Sequence, residues 1–200
     1  MAYIPFPPKI VDSLIQSINE ALVAYGTLES RIGMGSALCE SSFYMPMLKV
    51  AKHLAWESQI EIPVKTLKVS EFGDVPRIDF YGHRAGYGVA IELKFKDKFV
   101  LTEPYPKFEV EKFKAIRKLK SKNHAKGFFG FRMIVGRVLK KEINNLKWYS
   151  VKKSKDDSLI IGTIVHFNHS NLNYYSMTVQ LLPSYLEPEK KKVSNDVTYR

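Results

Sequence analysis

The sequence predicts one α/β domain, a central mixed β-sheet with helices on its faces. Three observations carry that prediction. Two N-terminal segments have helical period, three short apolar runs between residues 60 and 95 have strand character, and a helix-then-strand unit follows them directly. A strand–helix–strand unit after a hairpin places a parallel pair beside an antiparallel one, which makes the sheet mixed. With 200 residues, 45% of them apolar and 26% charged, the chain has the size and composition of a single folded domain. The domain is expected over residues 1–186, with its core at about 40–136 and a polar tail over 187–200.

Residues 9–25 set Ile10, Leu14, Ile18, Leu22 and Tyr25 at helical spacing, and Gly26 follows as a stop signal. A second helix is expected where Phe43, Met47, Leu48, Ala51, Leu54 and Ala55 keep the same period, with Ser41 or Ser42 as its cap and Pro46 in its first turn. Residues 60–69 read as a strand, and Pro63 assigns it to a sheet edge. Turn chemistry from Gly73 to Pro76 leads into two strands, 77–81 and 89–95, joined as a hairpin through Gly82 to Gly88. Residues 107–122 read as a helix, 127–135 as a buried strand and 139–149 as another helix. Two last strands, about 158–167 and 174–182, flank a polar turn at His169 to Asn171.

The single cysteine, Cys39, cannot form an internal disulfide, and no Cys/His cluster has zinc spacing. A reducing compartment follows, with Cys39 a small buried apolar residue. The N-terminus lacks the basic and apolar regions of a secretory signal, and no apolar run approaches the ~18 residues of a membrane span. A cytoplasmic protein with no membrane partner is expected.

The net charge of +11 is concentrated. Residues 94–155 hold 19 Lys/Arg and 5 Asp/Glu, a balance of +14, against −3 for the remainder. A field of that kind suits a polyanion such as nucleic acid, although a solvated Lys-rich surface that keeps the protein soluble would have the same composition.

The chemistry concentrates on the hairpin. Asp79 and Glu92 lie on its two arms, and Lys94 lies two residues past Glu92, which puts both on one face of their strand. Their neighbours Ile78, Phe80, Ile91, Leu93 and Phe95 are apolar, so three charges sit on strands that otherwise read as core. Buried charge is costly unless paired or bound to metal. Two adjacent carboxylates suit a hard divalent cation such as Mg²⁺, which lowers the pKa of bound water and holds phosphate oxygens. A desolvated lysine beside it, its pKa lowered, could orient or deprotonate that water.

Asp79, twelve residues, then Glu92-Leu93-Lys94 resembles the PD-(D/E)XK signature of restriction-type nucleases and Holliday-junction resolvases. The α-β-β-β-α-β order between about 40 and 136 is similar to the core of that superfamily, so the resemblance implies a restriction endonuclease-like fold. It further implies Mg²⁺, with Mn²⁺ as a substitute, bound by Asp79, Glu92, Leu93 (through its main chain) and an acid on the preceding helix. Lys94 would assist attack on a phosphodiester. Glu40, on the apolar face of the second helix, is the candidate acid, and Glu57 the weaker one. The family's proline often directly precedes the aspartate; here Ile78 does, and Pro76 stands three residues before Asp79. The basic helix after the site places Lys112, Lys114, Arg117, Lys118 and Lys120 as phosphate contacts, and Lys96 and Lys98 extend the face of Lys94.

Three readings stay open. The first is a DNA endonuclease, plausibly a twofold dimer, since cutting a duplex needs two sites. The second is a non-catalytic nucleic-acid-binding module, or a subunit of a nuclease complex, on the same fold. The third is an RNA-binding protein, for which no aromatic recognition signature is present. For the site itself, the alternative to a metal is a buried ion pair of Lys94 with Asp79 or Glu92.

Overall fold

A computed structural model describes residues 7–65, 67, 75–96, 107–139, 152–153, 159–161 and 172–184. The elements run α1 (Lys9–Arg31), two 3₁₀ turns (Gly35–Ala37 and Glu40–Phe43), α2 (Tyr44–His53), β1 (Glu57–Pro63), β2 (Arg77–Arg84), β3 (Tyr87–Lys96), α3 (Lys107–Leu119), a third 3₁₀ turn (Ser121–Asn123), β4 (Gly127–Leu139), β5 (Lys152–Lys153), β6 (Leu159–Ile161) and β7 (Leu172–Ser184). From α2 to β4 the order is α-β-β-β-α-β. Of the helix expected over 139–149 only Leu139 is described, as the last residue of β4; the rest of it, the turn at 169–171 and the tail at 187–200 lie outside the described residues.

One mixed sheet has the strand order β1-β2-β3-β4-β7-β6-β5. Among the described strands only β3 and β4 pair in parallel, Tyr87 opposite Gly127 through Lys96 opposite Gly136, because α3 carries the chain across between them. On one face, α1, α2 and the 3₁₀ turn before α2 bury Leu14, Ile18, Phe43, Met47 and Ala51 against Val89, Ile91, Leu93, Phe129, Phe131 and Met133. On the other, Phe113 and Ile116 of α3 pack on Tyr81, Ala90 and Phe128. The odd-numbered residues of β3 therefore enter the first layer, and Ala90, Glu92 and Lys94 turn toward α3. No helix among the described residues is long and apolar enough to cross a membrane.

Several sequence expectations are corrected. Gly26 does not stop α1: it is buried within the helix, which runs on to Arg31. The stop is Gly33, whose φ of 82° lets Gly33 N–H reach Ser30 O (3.2 Å) and Met34 N–H reach Glu29 O (2.8 Å), a Schellman cap. The first strand begins at Glu57 and ends at Pro63, not 60–69. It is an edge strand, as its proline required. The hairpin turn is only Ala85-Gly86, both with positive φ (51° and 83°), the primed turn whose twist matches paired strands. His83 is consequently a β2 residue and not a loop residue. Cys39 is exposed, not buried. It precedes a 3₁₀ turn, where hydrogen bonds from Ser41 and Ser42 lower its thiol to about 7.

The seat of α3 depends on Gly130. A Cβ there would stand 2.8 Å from Cγ of Phe113. Gly130→Ala is expected to destabilise the fold by about 1–3 kcal/mol, the usual cost of overpacking. Urea unfolding checks this, and an unchanged midpoint would mean that α3 shifts without cost.

Candidate functional site

The site begins where the hairpin stops pairing. β2 and β3 pair from Arg84 opposite Tyr87 to Phe80 opposite Ile91, and no further. β1 still follows β2 to Arg77, and β4 still follows β3 to Lys96. The sheet thus forks between the two residues that would continue the register, Asp79 and Glu92. Within the fork the Asp79 carboxylate replaces the missing ladder. Its Oδ2 accepts the Leu93 N–H at 2.7 Å, and its Oδ1 accepts the Tyr44 hydroxyl at 2.9 Å. The same hydroxyl lies 2.7 Å from Glu61 Oε1, so its one proton is shared between the two carboxylates.

Glu92 is buried on the α3 side, 1% exposed. Its Oε1 meets Lys112 Nζ from α3, and its Oε2 lies 3.9 Å from Lys94 Nζ. Lys94 Nζ is 3.5 Å from Glu40 Oε2, and Glu40 Oε1 accepts the Phe95 N–H at 3.3 Å. The charges therefore alternate along a chain, Glu40–Lys94–Glu92–Lys112, with Asp79 beside Glu92. A second buried pair backs it, Arg132 Nε with Glu109 Oε2 at 3.4 Å.

The electrostatics follow from burial. Glu92 is pushed up to about 8, first by desolvation and then by the Asp79 charge, against the lowering effect of Lys112 and Lys94. Glu109 is also raised, by burial, although Arg132 opposes this. For Lys94, burial acts to lower the pKa, but Glu40, Glu92, Asp79 and Glu109 outweigh it and hold the ammonium above its ordinary value. The lowered lysine expected from the sequence is therefore corrected: Lys94 is a held cation and not a ready base.

Comparison with protein-family models, curated proteins and solved structures finds no match. The site is read from its own residues.

Asp79, Glu92, Lys94 and the Leu93 main chain come together as the sequence indicated. Glu40 reaches the site too, but only across Lys94. Among the described residues no three His, Cys, Asp or Glu side chains converge on one point, so the expected ligand set contracts to Asp79, Glu92 and the Leu93 main chain. Glu57 stays away, its side chain 84% exposed and 3.4 Å from His83. This smaller set still fits Mg²⁺, which is commonly held by one or two carboxylates, with waters and substrate phosphate completing its shell. A buried Glu92 carboxyl whose ionisation the neighbouring Asp79 charge opposes is the feature a cation would relieve.

The residues expected to contact nucleic acid divide. Lys114 and Lys118 are exposed, Lys114 beside Glu111 at 2.7 Å. Arg117 and Lys96 are half-buried. Lys120 reaches toward β1, 3.3 Å from Gln59 and over the Tyr81 ring. Lys98 lies outside the described residues. Lys112 is a correction: it is 9% exposed and faces the site and not solvent. Sequence reasoning missed Tyr44 and Glu109. Both were findable, Tyr44 four residues after Glu40, and Glu109 on the stripe of Phe113 and Ile116.

Proposed function

We propose that this chain is a metal-dependent DNA endonuclease with a PD-(D/E)XK core. The observation that carries the reading is the fork in the sheet, where two buried carboxylates, Asp79 and Glu92, stand beside a lysine held in its charged form. Asp79, Glu92 and the Leu93 main chain would hold Mg²⁺ or Mn²⁺, which supplies an activated water and neutralises charge on the phosphodiester. Asp79 is aimed by Tyr44 and by the Leu93 N–H. Lys94, kept protonated by its carboxylate neighbours, orients the water and stabilises the oxyanion at phosphorus. Exposed Lys114 and Lys118, on the solvent side of the helix that carries Lys112, would supply phosphate contacts.

The test is nicking of supercoiled plasmid in Mg²⁺, in Mn²⁺ and in EDTA. Metal-dependent nicking supports the reading. Binding of plasmid, linear and branched DNA with no cutting in either metal favours the non-catalytic module, whose basis here is that Glu40, Lys94, Glu92 and Lys112 already pair among themselves. Lys94→Ala is expected to lower cleavage at least 100-fold while DNA affinity changes little, since one oxyanion donor is typically worth 10²–10³. Loss of the fold in that variant would instead make Lys94 a structural ion-pair partner. Affinity for DNA should fall steeply with added salt, and a flat response would remove the phosphate contacts from the proposal.

A further inference from the structure

Resting on the cleavage reading, we infer that Lys112 is a built-in stand-in for the metal: its ammonium occupies the cation seat at Glu92 and must leave when the ion arrives. Three observations place it there. Its Nζ is against Glu92 Oε1, a closer approach than that of Lys94 at 3.9 Å. The same Nζ donates to the Arg77 main-chain carbonyl at 2.6 Å, on the arm of the fork that carries Asp79. It is thus bracketed by a carboxylate and a carbonyl oxygen, the donor types a hard cation takes. The side chain is 11% exposed, so solvent does not hold the charge in place.

The seat is also mechanically defined. Lys112 precedes Phe113, whose ring is wedged against Gly130, so the helix cannot slide to carry the lysine elsewhere. The side chain is then left its own torsions to move by, and an ammonium displaced from Glu92 is free to meet a substrate phosphate. Metal entry and phosphate capture then become linked: the ion displaces the lysine, and the displaced lysine binds the polyanion. By linkage, each should tighten the other.

Mn²⁺ binding is measured by calorimetry for the full chain, Lys112→Met and Lys94→Met. If Lys112 holds the seat, Lys112→Met binds Mn²⁺ at least tenfold more tightly than the parent, and Lys94→Met shows a clearly smaller gain. Equal gains in the two variants would reduce the effect to the general removal of positive charge and overturn the inference, as would unchanged or weaker binding in Lys112→Met. If no protein binds Mn²⁺, the cleavage reading fails and this inference with it. A second measurement needs no variant of Lys112: acetylation footprinting followed by mass spectrometry. Lys112 should be protected without metal and become reactive on adding Mn²⁺, with no such change in Glu92→Gln. Protection that persists at saturating Mn²⁺ would overturn the displacement even if Lys112→Met proved unable to fold.

Discussion

Asp79→Asn is expected to abolish metal-dependent nicking while leaving the protein folded. The substitution separates the two things Asp79 does. As a fold element it accepts the Leu93 N–H and the Tyr44 hydroxyl. An asparagine keeps one oxygen for the buried Leu93 N–H and turns its amide to Tyr44, whose hydroxyl accepts as readily as it donates. Alanine would leave that N–H unpaired, at a cost of about 1–3 kcal/mol, and would confuse instability with lost chemistry. As a site element Asp79 supplies negative charge, and the amide supplies none. Metal stabilisation of phosphodiester attack is worth several kcal/mol, which corresponds to a loss on the order of 10³-fold or more. Nicking assays with thermal melts of both proteins decide the matter. A folded Asp79→Asn protein that still cuts would remove Asp79 from the site.

Why was this part of the site legible before any coordinates? Strand period alone put Glu92 and Lys94 on one face, and the hairpin put Asp79 opposite them. Charges on apolar strands conflict with the core pattern, and such conflicts collect at functional positions. Pro63 marked the edge strand for a similar reason, since its missing N–H excludes it from a central ladder. These signals are local, so they survive without tertiary information.

The rest depends on distance in space. Helical spacing puts Lys112, three residues after Glu109 and four before Ile116, beside the apolar stripe and Lys114 off it; what the pattern of 107–122 does not contain is that the lysine meets Glu92 and the Arg77 carbonyl. Gly26 carried a stop signal, but it is itself buried where α1 packs, and the helix runs on to Arg31. The pKa of Lys94 was misjudged because desolvation was weighed alone. Three of the carboxylates that reverse it, those of Glu40, Asp79 and Glu109, come from three other elements. The fork itself had no sequence marker: Ile78 to Phe80 and Ile91 to Leu93 read as ordinary paired strand.

Glu92 makes the metal-free protein less stable as pH rises. Its carboxyl is at about 8 in the fold against 4.5 for an unhindered glutamate, so the folded state binds the proton more tightly than the unfolded chain does. The sign follows from that inequality. Stability is fully present below about 4.5, declines through the window between the two values, and the contribution is gone above about 8. At about 1.4 kcal/mol per unit the full span is roughly 3–5 kcal/mol, or on the order of 10 °C in Tm for a chain of this length. Glu109 shifts in the same direction, so the quantity to read is the difference between the parent and Glu92→Gln, which mimics the protonated acid and keeps an acceptor for Lys112. Melting at pH 5 and pH 8 should show the parent falling by about that amount more than Glu92→Gln. A cation at Glu92 favours the ionised form and reverses the penalty. Mg²⁺ should therefore raise the Tm of the parent at pH 8, have little effect on it at pH 5, and have little effect on Glu92→Gln at either pH. Parallel pH slopes in the two proteins would show that Glu92 ionises freely in the fold, and a cation would then have no penalty to relieve at the fork.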